Sequence, residues 1–351
     1  MEARQATELI YEYLADAGPS MNTIGDSGFV KEIASSWTWS ADSTAIAFKL
    51  NPRAEWHDGQ PLTSRDVVFS YRVYSDPGTG WPDLGALDDI DSVTAPDAST
   101  AVFWFKRRTP HQFFDAVATM LVLPEHLLGK IAHDSLRIVT ARMDPVGSGR
   151  YRLARWTKGS SFELDAVPDH YRGRAHTDRV VWTVTPEYQT AVTRLLGGDA
   201  DVFTNIRQET LTQIFGKGKF NLVSLPGMHY VFLAFNMGTA ERAKDVEKAG
   251  NRIFASRDVR RAISMSLDRA AMVKNLFDTL AMVGIGPTVR AYPTLDTAVK
   301  QSPFDREMAG KILDSAGWRR AKAGGIRSKN GVPMRFTLIA PVESLSRVSI
   351  A

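Results

Sequence analysis

The sequence predicts a mixed α/β protein built from more than one domain. Stretches in which apolar and polar residues alternate are interleaved with stretches of helical spacing. These segments are uneven in length, with no internal repeat or low-complexity tract. At 351 residues the chain is also longer than one hydrophobic core usually organises, so two or three domains are expected. A hydrophobic share of 44% with 23% charged residues places it among globular chains.

The elements follow in order. Ala6, Leu9, Ile10, Tyr13 and Leu14 keep helical spacing, so the chain opens on an amphipathic helix. This end does not read as a signal peptide, having neither a basic start nor an apolar core. After the loop GPSMNTIGDSG, Ile46, Phe48 and Leu50 alternate with Ala47 and Lys49 as in a half-buried strand. Asp58-Gly59 supplies a tight turn, since glycine reaches positive φ without a Cβ clash. Thr63 with Asp66 three residues later makes a capping box, and Val67, Tyr71 and Tyr74 share one face of the helix that follows. SVTAPDASTAVFWF (92–105) reads as a hairpin turning at Pro96-Asp97, with Val102 to Phe105 expected to be covered on both faces. Helical turns are expected from His111 to Met120 and in LPEHLL.

A second hairpin pairs Tyr151 and Leu153 with Phe162 and Leu164 around Lys158-Gly159. VVWTV (180–184) is expected as a buried strand. The next helix stops at Gly197-Gly198 and leads into a short strand. FNLVSL and YVFLAFN then add two strands. From Asp258 the pattern turns helical, with Val259, Ala262 and Ile263 on one face, a second helix capped by Asp268, and a third ending at Gly317. MRFTLIAP (334–341) is expected as a strand.

A search for chemistry excludes more than it finds. The net charge of +4 is a small difference between 43 basic and 39 acidic residues, not the concentrated footprint of a nucleic-acid binder. The basic clusters KRR (106–108) and WRRAKAGGIRSKNG (318–331) read as solvated turns. Without cysteine there is no disulfide, thiolate nucleophile or cysteine metal site. The histidines at 57, 111, 126, 133, 170, 176 and 229 show no metal-binding spacing. GDSG fails the nucleophile-elbow pattern. GSG (147–149) opens a strand, not a helix, so no helix N-terminus is offered to phosphate. Asp88, Asp89 and Asp91 in DDID could be acid–base groups, but such runs ordinarily cap loops. No catalytic residue, metal or cofactor is expected. The aromatic residues (8 Trp, 9 Tyr and 17 Phe) serve either core packing or an aromatic-lined cleft, and both readings stand at this point.

The order of motifs carries a resemblance. WHDGQPLTSRDVVFSY resembles the W-x-D-G-x-P-[LV]-T-A-x-D-V-x-[FY] stretch of the bacterial extracellular solute-binding proteins of family 5, the peptide-binding components of ABC importers. VGSGRYRL, followed by VPDHYRGR, is similar to that family's V-G-[ST]-G-x-Y-x-L and N-P-x-Y-[WY]-x-G segments. RLLGGDADV, the stretch from LAFN through DVRRAISMSLDRAAMV, and FDREMAGKILDSAGW match later family segments in the same order. The resemblance implies two α/β lobes joined by a hinge, with an extra β-rich subdomain on the first. Residues 1–40 and 145–236 would form lobe I, 41–144 the subdomain and 237–351 an incomplete lobe II.

It also implies binding without chemistry: an extended peptide or other small solute held between closing lobes by main-chain hydrogen bonds, then delivered to a membrane permease. Such a protein would be periplasmic and monomeric, with no nucleic-acid partner. The ligand-facing positions it suggests are Trp81, Asn205, Phe232 and Ala234. Where some members carry an acidic side chain this chain has Ala234, so a ligand amine would lack that partner. The family's first strand, leader and later G-W-x-x-D segment have no counterpart, so a truncated chain that no longer binds ligand is the alternative expectation.

Overall fold

The computed structural model describes residues 2–18, 21–204, 206–215, 220–223, 230–237, 253–342 and 345–350. The chain divides into two compact units, one of Met1–Ala191 with Tyr292–Thr294, the other of Val192–Ala291 with Leu295–Ala351.

The first unit opens with helix α1 (Glu2–Ile10) and a short antiparallel pair, β1 (Ala15–Asp16) with β2 (Val30–Lys31). Strands β3 (Ala34–Trp39), β4 (Ala45–Leu50), β5 (Ile90–Asp97) and β6 (Thr100–Phe105) form an antiparallel sheet in the order β3-β4-β6-β5. Alternation along β4 turns Ile46, Phe48 and Leu50 inward. They meet Phe103, Phe105 and Ile90 in one core with Trp56 and Phe113. Phe113, from α3 (Gln112–Val117), takes Phe29 and Trp37 at ring-centroid distances of 4.7 and 4.9 Å. Each fully buried side chain of this size contributes about 1.5–3 kcal/mol. The sheet is covered on one side only: Trp104 is 44% exposed, where a strand buried on both faces was expected. Helix α2 (Ser64–Ser75) covers β5 and β6 on the inner side.

The capping box at Thr63 forms. The Asp66 carboxylate accepts from the Thr63 amide at 2.8 Å and from the Glu125 amide at 2.9 Å, so it fixes the start of α2 to α4 (Glu125–Leu128) as well. Helix α5 (Leu136–Thr140) adds to a satellite cluster of Phe69, Val73, Leu128 and Leu136.

A second sheet orders β7 (Tyr151–Thr157), β8 (Ser161–Ala166) and β9 (Arg179–Thr183) as β7-β8-β9. One face, with Tyr151, Leu153, Phe162, Leu164, Val180 and Trp182, packs on Leu9 and Ile10 of α1. Here the GSG motif finds its reason. A Cβ on Gly147 would stand 1.9 Å from the Ile10 carbonyl oxygen, and the Gly149 amide donates to that oxygen at 2.7 Å. The glycines let β7 close against the open carbonyls at the end of α1. The expected buried strand at 180–184 is instead the sheet's edge, with Val181 and Val184 half exposed.

Helix α6 (Tyr188–Gly197) ends at Gly198, whose φ of 86° is the left-handed stop that the glycine pair predicts. The division between units falls within this helix. The second unit continues with α7 (Gln208–Phe215), which the sequence reading missed, then α8 (Arg257–Met265), α9 (Arg269–Leu276) and α10 (Arg306–Ser315). Asp268 and Asp305 cap α9 and α10 through the amides of Ala271 and Met308, at 3.0 and 2.8 Å. Val259, Ala262, Met265 and Ala309 bury the α8–α10 contact, and Trp318 closes over Ile253 and Phe254.

A small antiparallel sheet of β10 (Arg319–Arg320), β11 (Arg327–Lys329) and β12 (Val332–Pro333) follows, then α11 (Leu345–Ile350). The strands expected at 220–225, 230–236 and 334–341, and the short one after Gly198, are not strands in the described residues. β-propensity alone makes no ladder, and these runs have no pairing neighbour among the described residues.

Candidate functional site

Trp81 is placed by a chain of short-range bonds. α2 stops at Asp76, whose carboxylate accepts from the Gly78 amide at 2.7 Å and starts a 3-10 turn over Pro77–Thr79. That backbone bond, followed by the contact with His133 Nδ1 at 2.7 Å, holds the Asp76 carboxyl below the usual carboxylate range. Gly80 turns the chain at φ 66°, and the Trp81 amide donates to Thr79 Oγ1 at 3.3 Å. The indole meets Tyr74 edge-on, ring centroids 4.9 Å apart.

Tyr74 is set deep enough that burial drives its hydroxyl well above the ordinary tyrosine range, with Tyr13 and Tyr11 adding to the effect. Tyr11 is likewise pushed up to about 12 by burial. Trp81 and Tyr74 therefore form a half-buried aromatic pair in the first unit, with Tyr11 and Tyr13 near enough to act on the Tyr74 hydroxyl. Helical spacing in the sequence flagged Tyr13 and Tyr74 separately, but nothing in it brought Tyr74 to Trp81.

A buried polar bracket adjoins these rings through the Tyr13 amide, which donates to Glu32 Oε2 at 2.9 Å. Arg172 donates to Glu12 Oε1 at 3.0 Å and to Glu32 Oε1 at 2.7 Å, while the Tyr171 hydroxyl donates to Glu12 Oε2 at 2.9 Å. Burial raises Glu32 more than Arg172 lowers it. His170 Nδ1 accepts from the Arg172 amide, so Nε2 carries the proton and donates to the Ser148 carbonyl at 2.9 Å. His57 repeats the arrangement. Its Nδ1 accepts from the Gly147 amide and its Nε2 donates to the Gly149 carbonyl at 2.9 Å. Burial pulls that imidazole below its ordinary pKa. These histidines are backbone pins. Among the described residues no three His, Asp or Glu side chains come together as a metal set. Asp89, from DDID, is held low chiefly by its bond to Arg107 at 2.7 Å, so it serves the hairpin base.

The other suggested positions belong to the second unit. Asn205 lies outside the described residues. Phe232 is 69% exposed and touches Tyr230 at 5.6 Å, so strand packing does not account for it. Ala234 is exposed beside it, while Phe235 turns into the core against Phe254 at 5.1 Å. Tyr230 was not singled out by the sequence reading, although it sits in the same YVFLAFN run. No helix among the described residues is long and apolar enough to cross a membrane.

Comparison with known proteins gives a consistent picture. The family model described as bacterial extracellular solute-binding proteins, family 5 middle, matches residues 28–351. The oligopeptide-binding protein AppA of Bacillus subtilis is 28% identical over 301 residues, which cover 84% of this chain and 52% of that protein. In structure, NikZ from Campylobacter jejuni, solved in complex with Ni(L-His), superposes with a TM-score of 0.79 at 24% identity, covering 98% of this chain and 64% of that one. The periplasmic oligopeptide-binding protein of Thermotoga maritima gives 0.76 at 20% identity, covering 97% and 63%. The chain spans about half the length of the curated relatives it matches. The structural likenesses establish the two-lobed binding-protein fold.

Proposed function

The chain belongs to the bacterial extracellular solute-binding proteins of family 5, and on that basis we propose that it is the substrate-binding part of an ABC importer taking up peptides. The observation that carries the reading is the family match from residue 28 to 351, joined to 28% identity with a protein named for oligopeptide binding. The fold alone does not choose the ligand, since NikZ was solved with a nickel–histidine complex. The half-buried aromatic pair of Trp81 and Tyr74 favours apolar peptide side chains over a metal chelate.

Residues 1–40 and 145–236 are assigned to lobe I, 41–144 to its subdomain and 237–351 to lobe II. Trp81, Asn205, Phe232 and Ala234 are assigned to the ligand. Ala234 leaves a ligand amine without a carboxylate at that position, so main-chain bonding carries the affinity. The working compartment is the periplasm and the partner a membrane permease.

The test is the melting temperature of the chain against peptide pools of defined length. A ligand at about 100 times its Kd adds about 2.7 kcal/mol to stability. Trp81→Ala is expected to abolish most of that shift while changing the ligand-free melt little, because one ring contact contributes about 0.5–1.5 kcal/mol. No shift with any pool, alongside a shift with a nickel–histidine mixture, sinks the peptide assignment.

A further inference from the structure

Along the free edge of β7, wholly within the first unit, runs a cavity of about 500 Å³, a volume suited to a small ligand. Four cationic side chains line it: Arg142, Arg152, Arg155 and Lys158. Two carboxylates share the lining with them, Asp58 and Asp144, and Asp58 already receives His126 Nε2 at 2.8 Å; Asp165 and Glu163 stand across the strand from Arg152 and Arg155. The register explains how the cations come to be in excess. A β-bulge between Leu153 and Arg155 pairs Arg152 with Asp165 and Arg155 with Glu163, which sets both arginines on one face of the sheet. Arg179 of β9 then takes the carboxylates of β8. It binds Asp165 through two bonds of 2.7 and 3.2 Å and reaches Glu163 at 3.9 Å. No hydrogen bond or ion pair is formed by the Arg152 or Arg155 side chain among the described residues. At the same edge Trp156 is 45% exposed, with the Lys158 ammonium 5.2 Å from its ring centre.

We propose that this cleft binds a small organic phosphate, a phosphate monoester on a flat ring. The dianion answers the excess of positive charge, and guanidinium groups take phosphate oxygens through paired N–H donors. Trp156, which lines the cavity and is 45% exposed, and the stem of Lys158 give the ring an apolar wall. The site is separate from the peptide-facing positions, so it stands whether or not the chain binds peptides.

The experiment is isothermal titration calorimetry of the 351-residue chain with phenyl phosphate, inorganic phosphate and phenol. Phenyl phosphate is expected to bind saturably and to weaken on going from low to high salt. The double variant Arg152→Ala/Arg155→Ala is expected to lose at least about tenfold in affinity, the effect of removing one charge-assisted bond or more. Both arginines are exposed, so this variant keeps the native melting temperature, which is measured alongside. Trp156→Ala is expected to weaken phenyl phosphate while leaving inorganic phosphate unchanged. The proposal is overturned by absence of saturable heat with phenyl phosphate, by equal affinity in the double variant, or by phenol binding as well as its phosphate ester.

Discussion

Replacing Arg172 by methionine removes the one cation that meets both Glu12 and Glu32. The side chains are 22, 4 and 14% exposed, so the variant strands two carboxylates largely out of water. Breaking a buried pair costs about 3–5 kcal/mol, and the partial exposure of Arg172 argues for about 3. In a unit of this size about 3 kcal/mol lowers Tm by roughly 6–12 °C. Seven of the eight tryptophans, all but Trp318, lie in the first unit, so intrinsic fluorescence reports its melting.

The pH dependence follows from the sign of the Glu32 shift. Its folded-state pKa is raised, so its contribution is fully favourable below the unfolded value of about 4.3 and is lost as pH rises through the folded value. Without Arg172 the Glu32 carboxyl moves further up. The deficit is therefore largest at neutral pH and shrinks toward pH ~4.5. A Tm loss below about 2 °C at neutral pH, or one equally large at pH ~4.5, would refute this reasoning. Adding Glu12→Gln and Glu32→Gln to the variant is expected to recover part of the loss, since neutral amides need no counter-ion.

Gly147→Ala is expected to destabilise at or beyond the upper end of the ~1–3 kcal/mol typical of overpacking, because its Cβ meets a backbone oxygen that cannot move away; urea midpoints measure it. Asp66→Ala is expected to cost more than the ~1 kcal/mol of an ordinary cap, since the buried carboxylate also holds the Glu125 amide, whereas Thr63→Ala stays near ~1 kcal/mol. Burial raises Asp115 to about 6, against the attraction of His111 and with some repulsion from Asp89. Its stabilising contribution is present below about pH 4 and lost as pH rises through 6. Asp115→Asn is therefore expected to flatten the stability profile across that interval and to melt above the parent chain at pH ~8.

Local patterns with a self-contained cause were legible in the sequence. Helix starts at Thr63 and Asp268 need only a short polar side chain and an amide within four residues. The stops at Gly198 and Gly317 need only a positive φ. The β7–β8 turn at Lys158-Gly159 is of the same kind, with Gly159 at φ 76°. What failed depends on partners far along the chain. Apolar composition suggested that Val102–Phe105 is covered on both faces and that 180–184 is buried, but Trp104 is 44% exposed and Val181 and Val184 are half exposed. The same limit governs the site. Trp81 could be named from its loop, yet the ring it meets, Tyr74, comes from α2.

The residues that make the family recognisable are mostly those that hold the first unit together. The His-Asp-Gly turn, the Gly-Ser-Gly strand entry and the His-Tyr-Arg segment lie far apart in sequence, yet they meet in one place. His57 bonds Gly149, His170 bonds Ser148, Arg53 bonds the Tyr171 carbonyl at 2.9 Å, and Arg172 reaches back to Glu12 and Glu32. Each member is fixed by a close backbone approach or a buried charge, where few other residues fit. Trp81, Phe232 and Ala234 take no part in this bracket. Their side chains are partly or largely open to solvent, so a substitution there unsettles the fold less. Membership is thus written in the framework, where physics narrows the choice, while exposed positions are free to vary and make poor signals.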